Sequence, residues 1–329
     1  MSTTFHNNID IITTKMNVSA NSRRPFLFGV NFELTEGFFI EDPLKQNEIL
    51  FQIKSVSNKL NSINEYPKTT FRTKPISYDS YKEKFNIVHK GLRRGDSFLT
   101  NLTIKTPIET NLSLEDIFAQ SKVPYSLCIP DRFVCFSPER FVKIANGRIS
   151  SNPMKGTINA NIPDAESIIL SDFKETAEHN TIVDLIRNDL SISAHDVKVE
   201  QYRYIDKIKT NNVDILQVSS MIEGQLPHNY RAQIGDIFFS MLPAGSICGA
   251  PKQATVDLIK LAEGEKRGYY TGVFGYFDGV ELDSAVLIRF VEKDGDQLFF
   301  RSGGGITAYS KCEEEYQEVL NKIYLPLYE

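Results

Sequence analysis

Residues 269–301 read YYTGVFGYFDGVELDSAVLIRFVEKDGDQLFFR, and their pattern gives the strongest indication of the fold class. Three apolar runs are separated by Asp-Gly pairs at 278–279 and 294–295. Asp-Gly favours the tight turn between antiparallel strands, because glycine readily adopts the positive φ that such turns require. The segment therefore predicts an antiparallel meander with strands at 269–277, 284–291 and 297–301.

The rest of the chain predicts helices that lie between groups of strands rather than after every strand. Short apolar runs bounded by turn residues predict strands at 26–30, 38–40, 49–53, 97–104, 125–129, 133–136, 141–144, 199–208 and 213–222. Apolar residues at helical spacing predict helices at 81–92, 163–190, 230–242, 252–261 and 311–324, with another after the capping residues 111–116. The polar residues 1–25 predict a short strand with loose ends. This arrangement favours the α+β class with antiparallel sheets over a doubly wound or barrel fold.

Composition argues against several classes of partner. The 329 residues carry a formal net charge of −5, which argues against nucleic acid or an anionic membrane as the main partner. The first residues have no signal-peptide core, and no apolar run reaches transmembrane length. Four cysteines without a C-x-x-C pair predict reduced thiols and a cytoplasmic protein. An anionic substrate would need local cations or a metal to overcome the overall negative charge.

Residues 151–157 read SNPMKGT and predict an ordered bend that holds Lys155, because Pro153 fixes φ and Gly156 frees the backbone. A lysine in such a bend can be a solvated charge, an anchor for an anion, or a nucleophile. Glu139 lies sixteen residues earlier in Ser-Pro-Glu-Arg-Phe, also in a predicted turn. The residues alone leave these alternatives open.

Three glutamates are candidate ligands of a divalent cation. Glu315, Glu318 and Lys322 share one face of the predicted C-terminal helix, and two carboxylates on one face suit Mg²⁺. The alternative is a solvated acidic face. Glu178 lies beside an apolar stripe in another predicted helix, where a carboxylate must be paired or bind a metal. Its neighbour His179 is either a third ligand or, as is more common, a structural residue.

Two further features suit an anionic ligand. Gly303, Gly304 and Gly305 follow a predicted strand, where they allow close backbone approach to a ligand or form a flexible turn. Arg289 is a charge within a predicted apolar strand and suits bidentate capture of a carboxylate. The segment 244–252 superficially evokes a phosphate-binding loop but lacks Gly-Lys-Ser/Thr, so nucleotide binding is not expected.

In their order along the chain, these motifs resemble the chorismate-utilising enzymes, which include anthranilate, isochorismate, salicylate and aminodeoxychorismate synthases. The likeness extends over about residues 80 to 325, through the segments SPERF, PMKGT, EHNTIVDLIRNDL, PAGSICGAPK, GYYTGVFGY, IR, GGGI and EEYQEVLNK. It implies a single α+β domain with large antiparallel sheets and flanking helices. Residues 1–80 would be a short β-rich N-terminal portion of this domain, and residues 81–329 its chorismate-binding region.

The resemblance also implies a role for each candidate residue. Glu178 and Glu318 resemble ligands of Mg²⁺, with Glu315 as a third carboxylate, and the metal would bind the ring carboxylate of chorismate. The residues that would contact the substrate or add positive charge beside it are Thr157, Tyr270, Arg289, Gly303, Gly304, Gly305 and Lys322. Glu139 resembles the general acid that assists loss of the C4 hydroxyl. Gln217 stands where the family often has a histidine near the leaving group, so Glu139 would act with less help.

Lys155 separates the branches of the family. Anthranilate synthases carry alanine at this position, whereas aminodeoxychorismate synthases carry a lysine that can add to C2 of chorismate as the C4 hydroxyl leaves. Ammonia from a glutamine amidotransferase subunit would then add at C4, giving 4-amino-4-deoxychorismate for para-aminobenzoate and folate synthesis. Anthranilate synthase component I and a non-catalytic chorismate-binding homologue are the alternatives. Leu99 stands at the position of the base lysine in water-adding members, which argues against isochorismate or salicylate synthesis.

Overall fold

Two antiparallel sheets packed face to face form the centre of the computed structural model, which describes residues 4–59, 68–208 and 214–327. The strands are, in chain order, β1 (Phe5–His6), β2 (Phe26–Val30), β3 (Gly37–Glu41), β4 (Leu50–Ile53), β5 (Val56–Ser57), β6 (Phe71–Thr73), β7 (Leu99–Thr110), β8 (Tyr125–Ile129), β9 (Phe133–Ser137), β10 (Arg140–Ala145), β11 (Arg148–Ser151), β12 (Met154–Asn159), β13 (His195–Ile208), β14 (Ile215–Gln225), β15 (Gly249–Ala250), β16 (Val273–Phe277), β17 (Leu282–Val286), β18 (Phe290–Asp294) and β19 (Gln297–Ile306). The helices are α1 (Ile9–Asn21), α2 (Tyr78–Arg94), α3 (Leu114–Gln120), α4 (Ala165–Ser171), α5 (Phe173–Ser191), α6 (Ile234–Ser240), α7 (Gly245–Cys248), α8 (Lys252–Glu263) and α9 (Cys312–Asn321).

The two sheets differ in which parts of the chain they use. Within the described residues the first sheet has ten strands in the order β1-β3-β2-β16-β17-β10-β11-β14-β12, with β13 also paired to β14. The second has nine in that same part of the chain, in the order β15-β7-β19-β18-β9-β8-β4-β5, with β6 also paired to β7. Every pairing between the strands named above is antiparallel. The predicted α+β class with antiparallel sheets is confirmed.

Side chains of the central strands alternate between two cores, because both faces of the first sheet are covered. In β2, Phe26 and Phe28 enter the core that the first sheet shares with α1, α5 and α6. Leu27 enters the core between the two sheets, where it joins Phe51 of β4 and Phe274 of β16. A strand that is buried on both faces reads as a continuous apolar run, which is how β2 is recognisable in the sequence.

Helices α2, α8 and α9 share a core with the second sheet, and α3 packs in a separate core against it. The apolar stripe that predicts α2, from Tyr81 to Leu92, is buried as expected. The Ser77 side chain caps the helix by accepting a hydrogen bond from the Ser80 backbone, and the helix ends at Gly95, where φ is 84°. In the part of the chain that the structure describes, no helix is long and apolar enough to cross a membrane.

The predicted meander is divided between the two sheets. Both Asp-Gly turns are present, with φ of 102° at Gly279 and 60° at Gly295. β16 and β17 pair in the first sheet and β18 and β19 in the second, so the single strand predicted at 284–291 is wrong. Arg289 lies between β17 and β18 with a φ of 54° and belongs to no strand. The chain crosses from the first sheet to the second at this point. The sequence does not reveal the crossing, because the residues on both sides of Arg289 are apolar and buried and so form one continuous apolar run.

The N-terminal segment contains a helix, contrary to the loose ends predicted for residues 1–25. Ile12, Met16 and Ala20 of α1 are spaced four residues apart and are fully buried against the first sheet. Many residues of this helix are β-branched or polar, which gives a weak helical signal in the sequence. Packing of one apolar stripe, rather than propensity, therefore stabilises α1.

Three further elements differ from their predicted form. The helix predicted at 163–190 is divided into α4 and α5 at Asp172, whose side chain caps α5 by accepting a hydrogen bond from the Glu175 backbone. The bend predicted around Lys155 is the strand β12. The glycines 303–305 lie inside β19 rather than in a turn after it. Glycine is disfavoured in strands, so the local signal in both segments favours a turn.

A buried ion pair ties α8 to the second sheet. The side chains of Arg267 and Glu263 are 1% and 3% exposed, and Arg267 Nη2 lies 2.6 Å from Glu263 Oε1. Glu263 also accepts hydrogen bonds from the backbone and hydroxyl of Thr103 in β7. Arg267 donates to the Asn101 carbonyl and the Thr271 hydroxyl. The pair therefore joins α8, β7 and the segment before β16 at one buried point.

Glu263→Gln is expected to destabilise the fold by about 3 kcal/mol, because it leaves the Arg267 guanidinium buried without its counter-charge. Urea denaturation followed by circular dichroism measures the change. The control is Asp184→Asn, which breaks a pair with Arg187 whose side chains are 62% and 47% exposed, and it should cost less than about 1 kcal/mol. Equal losses in the two variants would contradict a structural role for the buried pair.

Candidate active site

A cavity of about 230 Å³ lies where the chain crosses between the two sheets. One crossing leads from β9 to β10 and contains Glu139, and the other leads from β17 to β18 and contains Arg289. Backbone hydrogen bonds join the crossings, because Val286 N–H donates to the Glu139 carbonyl (3.3 Å) and Phe136 N–H to the Arg289 carbonyl (3.1 Å). Glu139 and Arg289 therefore meet at this cavity although they are far apart in the sequence.

Most of the residues predicted to form a site line this cavity. They are Glu139, Lys155, Tyr270, Arg289, Gly303, Gly304, Gly305 and Lys322. Thr157, also predicted to contact a substrate, is exposed on β12 and is not part of the lining. The three predicted metal ligands lie outside the lining as well, and their positions are described below.

Glu139 is a half-buried residue whose side chain lines the cavity. Burial, the largest influence, raises the pKa of Glu139 above its ordinary value. The positive charges of Lys155, Arg289 and Lys322 lower this pKa but do not cancel the effect of burial. A carboxyl with a raised pKa keeps its proton to higher pH and can donate it to a leaving group. The same three cations make the cavity attractive to an anion.

Lys155 reaches the cavity from a bulged strand. β12 pairs with β14, and the register shifts between Lys155 and Thr157 at Gly156, where φ is 76°. Such a bulge redirects the side chain beside it. Lys155 Nζ lies 3.7 Å from Glu178 Oε2, and the lysine side chain is 32% exposed. The amine is therefore accessible from the cavity and close to one carboxylate.

Lys322, Arg289 and Tyr270 line another side of the cavity, where they could bind a carboxylate. Lys322 Nζ donates hydrogen bonds to the Gly303 carbonyl (2.9 Å) and to the Glu318 carboxylate (2.6 Å). Arg289 Nη1 lies 3.4 Å from the Lys322 carbonyl and donates to it. Burial raises the pKa of the Tyr270 hydroxyl to about 12, so it remains a hydrogen-bond donor at neutral pH.

Glu315 and Glu318 converge beside Gly304. Oxygens Oε2 of Glu315 and Oε1 of Glu318 lie 3.5 Å and 3.6 Å from the position that a Cβ on Gly304 would take. Two carboxylates at one point fit Mg²⁺, which is commonly held by one or two carboxylates together with waters and substrate. Glu178 lies at Lys155 instead, and the described residues contain no group of three His, Cys, Asp or Glu side chains that could hold a metal. The structure brings together two of the three predicted ligands.

The surroundings of His179 fit a structural residue rather than a third metal ligand. The residue is 1% exposed, and its Nε2 lies 2.7 Å from the Ser220 hydroxyl oxygen. Burial lowers the pKa of His179 to about 4, so the ring is neutral at physiological pH. A neutral histidine bonded to a buried hydroxyl fixes α5 against β14.

Asn101 and Ser246 also line the cavity. Asn101 belongs to none of the sequence motifs, and Ser246 lies within the motif PAGSICGAPK but has no role predicted from it. Asn101 Oδ1 has no hydrogen-bond partner among the described residues and lies 3.1 Å from the position that a Cβ on Gly303 would take. An amide in the middle of a long strand is the only local signal for Asn101, and such residues are common on exposed strand faces. Gln217, which was expected near the leaving group, lines the cavity too.

The family model for chorismate binding enzymes matches residues 34–328 of this chain. An uncharacterised PabA-like protein of Haemophilus influenzae is 49% identical over 93% of this chain and 93% of its own length. Aminodeoxychorismate synthase component 1 of Salmonella typhimurium is 32% identical over 74% of this chain and 56% of its own length. Anthranilate synthase component 1 of Acetivibrio thermocellus is 31% identical over 82% of this chain and 56% of its own length. Overall identity therefore does not separate the two named activities.

The fold is shared with a solved structure. MenF, the menaquinone-specific isochorismate synthase from Escherichia coli, superposes with a TM-score of 0.75 and covers 97% of this chain and 82% of its own. The two sequences are 17% identical, so this likeness concerns the architecture alone.

Glu139→Gln is expected to be more stable than the wild type at neutral pH and equally stable near pH 4. Folding raises the pKa of this carboxyl, so the folded state binds its proton more tightly than the unfolded state does. The wild type therefore loses stability once the pH exceeds about 4.3, the pKa of a glutamate in the unfolded chain. Urea denaturation at several pH values measures the difference, which should grow as the pH rises towards the folded-state pKa and then level off.

The control for this series is Glu83→Gln, measured over the same pH range, which removes an exposed carboxyl on α2 away from the cavity. A difference for Glu139→Gln that shrinks as the pH rises would show that the pKa of this carboxyl is not raised.

Proposed function

The chain belongs to the family of chorismate binding enzymes, and we propose that it aminates chorismate to 4-amino-4-deoxychorismate as component I of an aminodeoxychorismate synthase. The observation that carries the proposal is the position of Lys155, which lines the same cavity as Glu139, Arg289 and Lys322. Aminodeoxychorismate synthases carry a lysine at this position, whereas anthranilate synthases carry alanine.

Substrate binding would use the cationic wall of the cavity. Chorismate carries two carboxylates, and Arg289 and Lys322 supply positive charge close to the glycine backbone of β19. Tyr270 supplies a buried hydroxyl donor. Because the protein as a whole is negative, these local charges are what make an anionic substrate compatible with it.

The first chemical step would be addition of the neutral Lys155 amine to C2 of the ring. The double bonds shift as the C4–oxygen bond breaks, and Glu139 gives its proton to the hydroxyl, which leaves as water. The proton that the lysine nitrogen loses goes to solvent or to a neighbouring base such as Glu178, 3.7 Å away. Gln217 contributes no titrating group, so Glu139 is the acid of this step.

The second step would release the lysine. Ammonia adds at C4, the double bonds shift back and the C2–nitrogen bond breaks, so that Lys155 recovers its proton and the enolpyruvyl group is retained. The sum is chorismate plus ammonia giving 4-amino-4-deoxychorismate plus water. The name component 1, which the Salmonella relative carries, supports a separate glutamine amidotransferase subunit as the source of ammonia.

A Mg²⁺ ion would be held by Glu315 and Glu318, and Glu178, which lies at Lys155 in this structure, would have to turn towards them to act as a third ligand. When bound, it would supply positive charge for the ring carboxylate of chorismate. The convergence of Glu315 and Glu318 at Gly304 supports this assignment. Glu318 accepts a hydrogen bond from Lys322, so metal binding to Glu318 would also free that lysine for the substrate.

Lys155→Ala and Lys155→Arg are expected to slow aminodeoxychorismate formation by at least about 100-fold, because neither side chain can form the adduct. Mass spectrometry of the intact wild-type protein, mixed with chorismate and Mg²⁺ without ammonium, should show a gain equal to chorismate less one water. Neither variant should show this gain.

The matched control is Lys198→Ala, which removes a lysine that is 65% exposed on β13. It should leave both turnover and the adduct unchanged. Wild-type turnover in Lys155→Ala would exclude Lys155 as the nucleophile.

A further inference from the structure

Two buried hydroxyls on elements that pack against α9 are unpaired in the part of the chain that the structure describes. Tyr81 on α2 is 0% exposed and Ser302 on β19 is 3% exposed. Neither the Tyr81 nor the Ser302 hydroxyl has a hydrogen-bond partner among the described residues. Leaving a buried hydroxyl unpaired is destabilising, so such groups often serve a ligand.

Tyr81 packs against α9. Its ring lies 5.3 Å from the ring of Tyr316, which places α2 directly against that helix. Tyr81 also shares a buried core with Val319 of α9. Tyr316 is the next residue after Glu315, so the two helices meet beside that carboxylate.

Ser302 lies on β19, the strand of the second sheet that packs against α9. It precedes Gly304 by two residues in β19, so the two positions lie on one face of the strand. On that face the Glu315 Oε2 atom lies 3.5 Å from the position that a Cβ on Gly304 would take. Glu315 is itself only 2% exposed, so a buried carboxylate lies between the helix that carries Tyr81 and the strand that carries Ser302.

We propose that Tyr81 and Ser302, whose hydroxyls donate to no group in the described part of the chain, turn to donate to the Glu315 carboxylate when a divalent cation binds beside Gly304, and so act as positioning residues. Hydroxyls that donate to a ligating carboxylate fix its direction, and their loss typically weakens metal binding about 10- to 100-fold. The inference rests on the proposed function only through the metal that Glu315 and Glu318 would share.

If Tyr81 has this role, Tyr81→Phe should weaken Mg²⁺ binding without lowering the stability of the protein. Without metal, the substitution removes an unpaired buried hydroxyl, so the melting temperature should stay the same or rise. With metal, it removes a donor to the ligand, so affinity for Mg²⁺ should fall about 10- to 100-fold. A merely structural tyrosine would not combine these two effects.

The experiment is a calorimetric titration of Mg²⁺ into protein mixed with chorismate and no ammonium, together with a thermal melt of the metal-free protein. Tyr81→Phe and Ser302→Ala should both weaken binding without lowering the melting temperature. Tyr316→Phe is the matched control, because its hydroxyl donates to the Ile76 carbonyl (2.7 Å). It should lower the melting temperature and leave Mg²⁺ affinity unchanged.

Glu318→Gln provides the reference for loss of a ligand. Unchanged Mg²⁺ affinity in Tyr81→Phe, or absence of Mg²⁺ binding by the wild type, would overturn the inference. Formation of a product other than aminodeoxychorismate would instead overturn the proposed function, and the predicted pattern of Mg²⁺ affinities would still stand.

Discussion

Two segments of the chain cross side by side between the sheets, and the position of the cavity follows from them. Their backbones are joined by the bonds from Val286 to Glu139 and from Phe136 to Arg289. A third segment is fixed to the same place, because Thr271 N–H donates to the Leu287 carbonyl (2.7 Å). These bonds satisfy backbone groups that would otherwise be buried without partners where strand pairing stops. The side chains needed for chemistry are therefore placed on backbone that cannot relax independently.

The charge distribution of the site is the reverse of that of the whole protein. The chain carries a net charge of −5, yet the cavity collects Lys155, Arg289 and Lys322 around one glutamate. Burial keeps Glu139 protonated to higher pH despite these cations, which is the state required of an acid. Lys155 lies near the carboxylate of Glu178, and Lys322 near that of Glu318. Binding of an anionic substrate and a cation would exchange these internal pairs for pairs with ligands.

The sequence predicts features that depend on neighbouring residues better than features that depend on contacts between distant parts of the chain. The Asp-Gly turns and the α2 stripe follow from short patterns. Glu139, Lys155 and Arg289 are candidates because of the order of the motifs, and the structure places all three at one cavity. The crossing at Arg289 was missed because its apolar neighbours are buried in both sheets. Helix α1 was missed because its stability comes from contacts with residues far along the chain. For the same reason no pattern showed that Tyr81 would lie beside α9.

Identification of the product formed by the wild-type protein tests the account most directly. The protein would be incubated with chorismate, Mg²⁺ and an ammonium salt at mildly alkaline pH, and the products separated by chromatography and identified by mass spectrometry and NMR. The account predicts 4-amino-4-deoxychorismate, with its enolpyruvyl group intact. Anthranilate would identify the alternative branch of the family, and isochorismate or no product at all would also contradict the account.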